Sequence, residues 1–170
     1  MARPDRLQYL IRLGYDGSRF YGVPNQPGHP TVSVTLRERL EAAAGQRARA
    51  LNFTARTDRG VHAVENFATC WFLPPFDTER FEAALAMDRP DGLVGVIAER
   101  TDFHTHARNV SCGKWYRYRL RTDGVDDPRA WTLASPIRSD MMRRLAAGFV
   151  GEHDFSAYSF KHSSPNTVKS

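Results

Sequence analysis

Apolar and polar positions alternate from the start of the chain. Leu7, Tyr9, Ile11, Leu13 and Tyr15 are separated by Gln8, Leu10, Arg12 and Gly14. A period of two predicts a strand with one buried face, here ending at Asp16-Gly17. Pro24, Pro27, Pro30, Gly22 and Gly28 mark residues 20–30 as a loop. Thr31 is placed to cap a helix through Gly45, with Val32, Leu36, Leu40, Ala43 and Ala44 on one face. Strands are predicted from Arg49 to Thr54 and from Val64 to Leu73, paired antiparallel and ended by Pro74-Pro75. Asp77 caps a second helix through Met87, with Phe81, Ala84 and Leu85 inward. A fourth strand, Leu93 to Arg100, follows Pro90-Asp91-Gly92.

The order βαββαβ predicts an α+β fold, a ferredoxin-like unit whose helices pack on one face of an antiparallel sheet. We assign it to a first domain, residues 1–104. Residues 105–170 read as a second, incomplete unit of the same plan. A strand is expected from Ser111 to Thr122, with Trp115, Arg117, Arg119 and Arg121 on one face and Tyr116, Tyr118, Leu120 and Thr122 on the other. Ser139 or Asp140 then caps a helix that ends at Gly151-Glu152, with Met142, Leu145, Ala146 and Phe149 inward. A further strand begins at Thr167.

At 170 residues the chain can bury a real core. Its hydrophobic and charged fractions, 41% and 25%, are those of a soluble globular protein. There is no apolar run of membrane-spanning length, and Met1-Ala2-Arg3-Pro4-Asp5 has no signal-peptide character, so a cytoplasmic protein with no membrane partner is expected. Cys70 and Cys112 form no disulfide framework, and both are expected as buried free thiols. His104 and His106 near Cys112 make an incomplete ligand set, so no metal is expected. The net charge is +5, and every basic residue except Lys114, Lys161 and Lys169 is arginine. An arginine-rich surface suits RNA, although genomic composition alone also produces one.

Candidate chemistry gathers in Ala55-Arg56-Thr57-Asp58-Arg59-Gly60-Val61-His62-Ala63, between two predicted strands. Gly60 lets the backbone turn. Arg56 is expected to lower the pKa of Asp58 and keep it ionised, as a nucleophile or a general base requires. On chemistry alone, an Asp-x-Gly turn is more often structural than catalytic.

This stretch resembles the Gly-Arg-Thr-Asp-Ala-Gly-Val-His-Ala signature of TruA-type tRNA pseudouridine synthases, departing at Ala55 and Arg59. Tyr15-Asp16-Gly17-Ser18-Arg19-Phe20-Tyr21-Gly22 is similar to the family's segment at the end of its first strand. Here Val23 and Pro24 stand where the family has tryptophan and glutamine. His106-Ala107-Arg108 followed by Lys114-Trp115-Tyr116-Arg117-Tyr118 resembles a third segment, and Gly151-Glu152-His153-Asp154-Phe155-Ser156 a fourth.

The resemblance implies isomerisation of uridine to pseudouridine in tRNA, within the anticodon stem-loop, without cofactor or metal. It makes Asp58 the catalytic nucleophile. Arg56 becomes a substrate-binding group, and Tyr116 the ring that packs on the target uracil. Arg19, Tyr21, Arg59, Arg108 and Lys114 become RNA contacts, with core packing an alternative for Tyr21 and the expected role for Tyr118, and a strand-surface cation an alternative for Arg108 and Lys114. For His62 a structural hydrogen bond is expected. The family is homodimeric, with a basic cleft for RNA. Its members continue beyond the matched region into a segment carrying a further arginine, so the chain is expected to be C-terminally truncated relative to them. A non-catalytic RNA-binding relative and an inactive fragment are the alternative readings.

Overall fold

The computed structural model describes residues 6–87, 89–158 and 168–169. Met1–Asp5, Thr167 and Ser170, which entered the targeting and final-strand expectations, lie outside the described residues. The chain divides into two compact units, Met1–Lys114 and Trp115–Ser170.

In the first unit, β1 (Leu7–Tyr15), α1 (Val32–Ala44), β2 (Arg49–Phe53), β3 (Ala63–Phe72), α2 (Thr78–Ala86) and β4 (Leu93–Thr101) follow one another. The strands form one sheet in the order β2-β3-β1-β4, with every pairing antiparallel. This is the ferredoxin-like arrangement. Ile11 sits opposite Ala68 on one side and Ala98 on the other, and all three are buried. The alternating face of β1 meets Val32, Leu36 and Leu40 of α1 and Phe81 and Leu85 of α2 in one core. Residues four apart lie on one helical face, so α1 contributes a continuous apolar stripe. Tyr9, Phe72, Phe76 and Phe81 pack ring on ring, with centroids 4.8–6.0 Å apart.

Chemistry sets the helix ends. Asp77 caps α2 by accepting the Arg80 N–H at 3.0 Å. Gly45 ends α1 at φ 64°, a left-handed conformation that glycine adopts without a Cβ penalty. Thr31 holds the N-cap position of α1, but its hydroxyl makes no cap bond to the helix and lies 3.4 Å from Ser33 Oγ.

Beyond β4 the chain crosses the other face of the sheet. Gln8 Nε2 donates to Thr105 O at 2.8 Å, and Thr54 Oγ1 donates to Ala107 O at 2.8 Å. Ala107 is fully buried, and its N–H reaches Thr69 Oγ1 at 3.4 Å. These bonds include residues 105–108 in the first compact unit.

The second unit departs from expectation. The strand predicted from Ser111 to Thr122 is reduced to β5 (Leu120–Arg121), paired parallel with β6 (Trp131–Thr132). Alternation gives a segment two faces, but a strand exists through its hydrogen-bonded ladder, and residues 111–118 have no ladder partner among the described residues. The helix, α3 (Ser139–Ala147), has Arg138 at its N-cap and ends before Gly148. Its expected inward face is open: Met142 is 46% exposed, Leu145 59% and Phe149 52%. Within the Gly151–Ser156 segment, Ser156 N–H donates to Asp154 Oδ1 at 2.9 Å. β7 (His153–Asp154) pairs antiparallel with β8 (Val168–Lys169). No helix among the described residues is long and apolar enough to cross a membrane.

Candidate nucleophile loop and basic pocket

Antiparallel pairing of β1 with β3 places Tyr15 opposite Ala63. The loop that leaves β1 and the loop that enters β3 therefore meet at one end of the sheet. Their backbones approach closely. A Cβ on Gly17 would lie 2.2 Å from Val61 O, and one on Gly22 2.7 Å from Thr57 O. Glycine at both positions is a packing requirement.

Hydrogen bonds hold Asp58 from both sides. Val23 N–H donates to Thr57 O at 3.0 Å, and Gly60 N–H donates to Phe20 O at 3.3 Å. Val61 N–H closes the turn onto Asp58 O at 3.3 Å. The Tyr15 hydroxyl lies 2.9 Å from Thr57 Oγ1. Asn66, only 5% exposed, donates Nδ2 to Ala55 O at 3.0 Å and to Tyr15 Oη at 3.2 Å, while its Oδ1 accepts from Ala55 N–H at 3.3 Å. His62 Nδ1 accepts from Gly17 N–H at 3.2 Å, a structural bond. The Asp58 side chain projects from this framework into solvent.

Arg56 does not pair with Asp58. No ion pair joins them among the described residues. Instead Arg56 lines an open pocket of about 310 Å³ with Arg37, Arg108, Val23, Pro24 and Phe53. Buried Ala107 anchors the chain on the sheet, and that anchor delivers Arg108 to the same pocket. Arg37 is partly neutralised by Glu41, 3.7 Å away. Neither Arg56 nor Arg108 has a carboxylate partner among the described residues, so the pocket is an anion-attracting concavity.

The other expected contacts separate. Arg19 donates to Pro90 O at 2.9 Å, which ties the first loop to the turn before β4. Tyr21 stacks on His29, with centroids 4.1 Å apart and planes 13° apart, and the Arg59 guanidinium lies 4.2 Å from the Tyr21 centroid. Lys114 is exposed at the end of the first unit. Tyr116 belongs to the second unit, where it is 70% exposed, and Tyr118, expected in the core, is 84% exposed.

Cys70 is buried, and desolvation pushes its thiol up to about 12. Cys112 is exposed, contrary to expectation, because its segment has no strand partner to cover it. No group of three or more His, Cys, Asp or Glu side chains among the described residues could hold a metal ion.

Sequence reading missed Asn66, His29 and Arg39. Asn66 looked like one polar residue in a strand. Arg39 is not among the residues predicted for the apolar face of α1, yet it is 4% exposed. Its partners are Leu85 O at 2.8 Å, Met87 O at 2.6 Å and Asp91 at 3.4 Å.

No protein-family model matches the chain. Curated relatives do. A tRNA pseudouridine synthase A of Neisseria gonorrhoeae is 36% identical over 169 residues, which cover 93% of this chain and 61% of that protein. A tRNA pseudouridine synthase A of Lactobacillus delbrueckii is 33% identical over 89% of this chain and 60% of that protein. The corresponding protein of Acetivibrio thermocellus is 32% identical, with 91% and 65% covered. The chain thus spans about three fifths of the length of the curated relatives it matches. Along nearly all of its own length, the chain is thus similar to curated tRNA pseudouridine synthases A.

Proposed function

We propose that this chain works as a tRNA pseudouridine synthase, acting on uridine in the anticodon stem-loop. The observation that supports it best is the framing of Asp58, whose backbone is bonded on both sides while its carboxylate faces solvent. A nucleophile needs that combination of fixed position and access. In the reaction, Asp58 attacks the nucleoside and the bond from the ribose C1′ to uracil N1 breaks. The uracil turns, C5 bonds to C1′, and the bond from Asp58 to the sugar breaks as its carboxylate leaves. The proton on C5 leaves to solvent, and N1 gains one. Atoms and electrons balance within the substrate, so the step needs no cofactor or metal.

A uridine inside a stacked loop must be extruded before Asp58 can reach it. Arg56 and Arg108, which line one pocket, suit the phosphates flanking the extruded nucleotide. Tyr116 supplies the ring for the uracil, and Lys114 further charge for the backbone. About two fifths of the length of the relatives named above lies outside the match, and a homodimer is the expected assembly in which the site works.

Release of tritium from tRNA labelled at uracil C5 tests the reading directly. Release by the wild-type chain and its loss in Asp58→Asn are expected. Binding of tRNA without any release by the wild type would instead make the chain a non-catalytic RNA-binding relative.

A further inference from the structure

Arg59 stands where the family signature has alanine, and the structure builds a support beneath it. Its guanidinium and the His29 ring both lie within 4.2 Å of the Tyr21 centroid. Two flat groups that close cannot share one face of the ring, because atoms side by side need about 3.5 Å between them. Tyr21 is therefore sandwiched, and the order of the column is His29, Tyr21, Arg59. The loop beneath it is tied down. Tyr21 N–H donates to Pro30 O at 2.8 Å, Gln26 Nε2 donates to Tyr21 O at 2.7 Å, and His29 N–H donates to Gln26 O at 3.1 Å. Arg59 has no carboxylate partner among the described residues, and it is exposed.

The Arg59 guanidinium lies over the Tyr21 ring, and its side away from the ring is left for a base, since Arg59 is exposed. In RNA recognition, unstacked bases are received on aromatic rings and on arginine planes. Both faces of Tyr21 are already covered, so the free plane nearest in sequence to Asp58 is that of Arg59. We propose that Arg59 is a stacking surface for the nucleobase next to the reacting uridine, and that Tyr21 and His29 are positioning residues that keep its plane in place. The inference rests on Asp58 being the site of reaction on RNA. It gives this chain a stacking group close to the loop in which Val23 and Pro24 replace the family's aromatic and amide. His29 gains a role through Tyr21, without touching RNA.

The test uses the full chain and an RNA stem-loop with 2-aminopurine at the loop positions flanking the target uridine. Stacking quenches the fluorescence of this base. Binding of the wild type is expected to quench it at one flanking position. Arg59→Ala is expected to abolish the quench and weaken binding about ten-fold, within the range for loss of one stacked base. Arg59→Lys, which keeps the charge but has no plane, is expected to fail equally. His29→Ala should lower the quench in part, and His29→Phe should restore it. Wild-type behaviour of Arg59→Lys would make Arg59 a phosphate contact and overturn the proposal. So would an unchanged quench in both Arg59→Ala and His29→Ala. Tritium release, measured in parallel, separates the two readings. Asp58-dependent release with a quench indifferent to Arg59 removes the stacking site alone. An Arg59-dependent quench without release removes the synthase reading and leaves the stacking site.

Discussion

The Tyr15 hydroxyl lies 2.9 Å from Thr57 Oγ1, so the last residue of β1 is bonded to the residue that precedes Asp58. Tyr15 is 3% exposed and its ring belongs to the core. The core thereby reaches the candidate nucleophile through one side-chain bond. Tyr15→Phe keeps the ring and removes that bond together with the one accepted from Asn66 Nδ2. A stability loss of about 1 kcal/mol is expected. Because a small displacement of a reacting group is costly in rate, kcat for tritium release should fall by about ten-fold or more with KM little changed. Thermal melting and tritium-release kinetics measure the two effects separately. An activity loss no greater than the loss of folded protein would deny Tyr15 any positioning role.

Asn66 serves both polar groups of Ala55 from a buried position. Asn66→Leu leaves a backbone N–H and C=O without partners, at a cost of about 1–3 kcal/mol. Urea unfolding should show a lower midpoint with an unchanged slope, since the unfolded surface stays the same. A midpoint equal to that of the wild type would mean that solvent or another group replaces the amide.

What the sequence made legible was whatever one core enforces on a period. The face of β1, the stripe of α1 and the inward residues of α2 all bury in the same cluster, so each could be read from its own spacing. Asp77 and Gly45 were legible because helix ends demand local chemistry. Asn66 and Arg39 were not, since their partners are main-chain groups brought near by the fold. The Tyr21 column joins two loops that have no period at all. In the second unit the opposite failure occurred: Trp115 to Thr122 alternates well, but pairing decides whether alternation becomes a strand. Of the candidate site, the motif located Asp58 and its turn. That Arg56 lines one pocket with Arg108, unpaired with Asp58, depended on how residues 102–108 cross the sheet.

Arg39 joins α1 to the end of α2 and to the turn before β4. Arg39→Ala removes one member of a buried pair and two hydrogen bonds to carbonyls. Such changes cost about 3–5 kcal/mol, and the lower end applies because the Asp91 side chain is 23% exposed. Arg39→Met, which keeps much of the packing volume, should lose less. Chemical denaturation of both variants checks the order. Equal stability of wild type and Arg39→Ala would show that the pair contributes nothing.

The two thiols should differ sharply in reactivity. The thiolate is the reactive form, and burial pushes Cys70 up to about 12, whereas Cys112 is exposed. At pH 8 a thiol reagent is expected to modify one cysteine per folded chain and two after denaturation. Cys112→Ser should leave the folded chain unreactive on the same timescale. Rapid labelling of that variant would mean that the sheet around Cys70 opens readily.

Asp123 offers a pH test confined to the second unit. Its carboxyl is held down to about 2, first by the Arg121 hydrogen bond and then by Val125 N–H. In the unfolded chain an aspartate titrates near 3.9. The folded form therefore binds fewer protons between these values, and its stabilising contribution is present above about 3.9 and lost as pH falls through about 2. The group is exposed, so the effect on global stability is small and salt-sensitive. Titration of the Asp123 carboxyl by NMR should give a midpoint well below the ordinary value, and Arg121→Ala should return it most of the way. A midpoint near 3.9 in the wild type would show that Arg121 and Asp123 do not hold each other in solution.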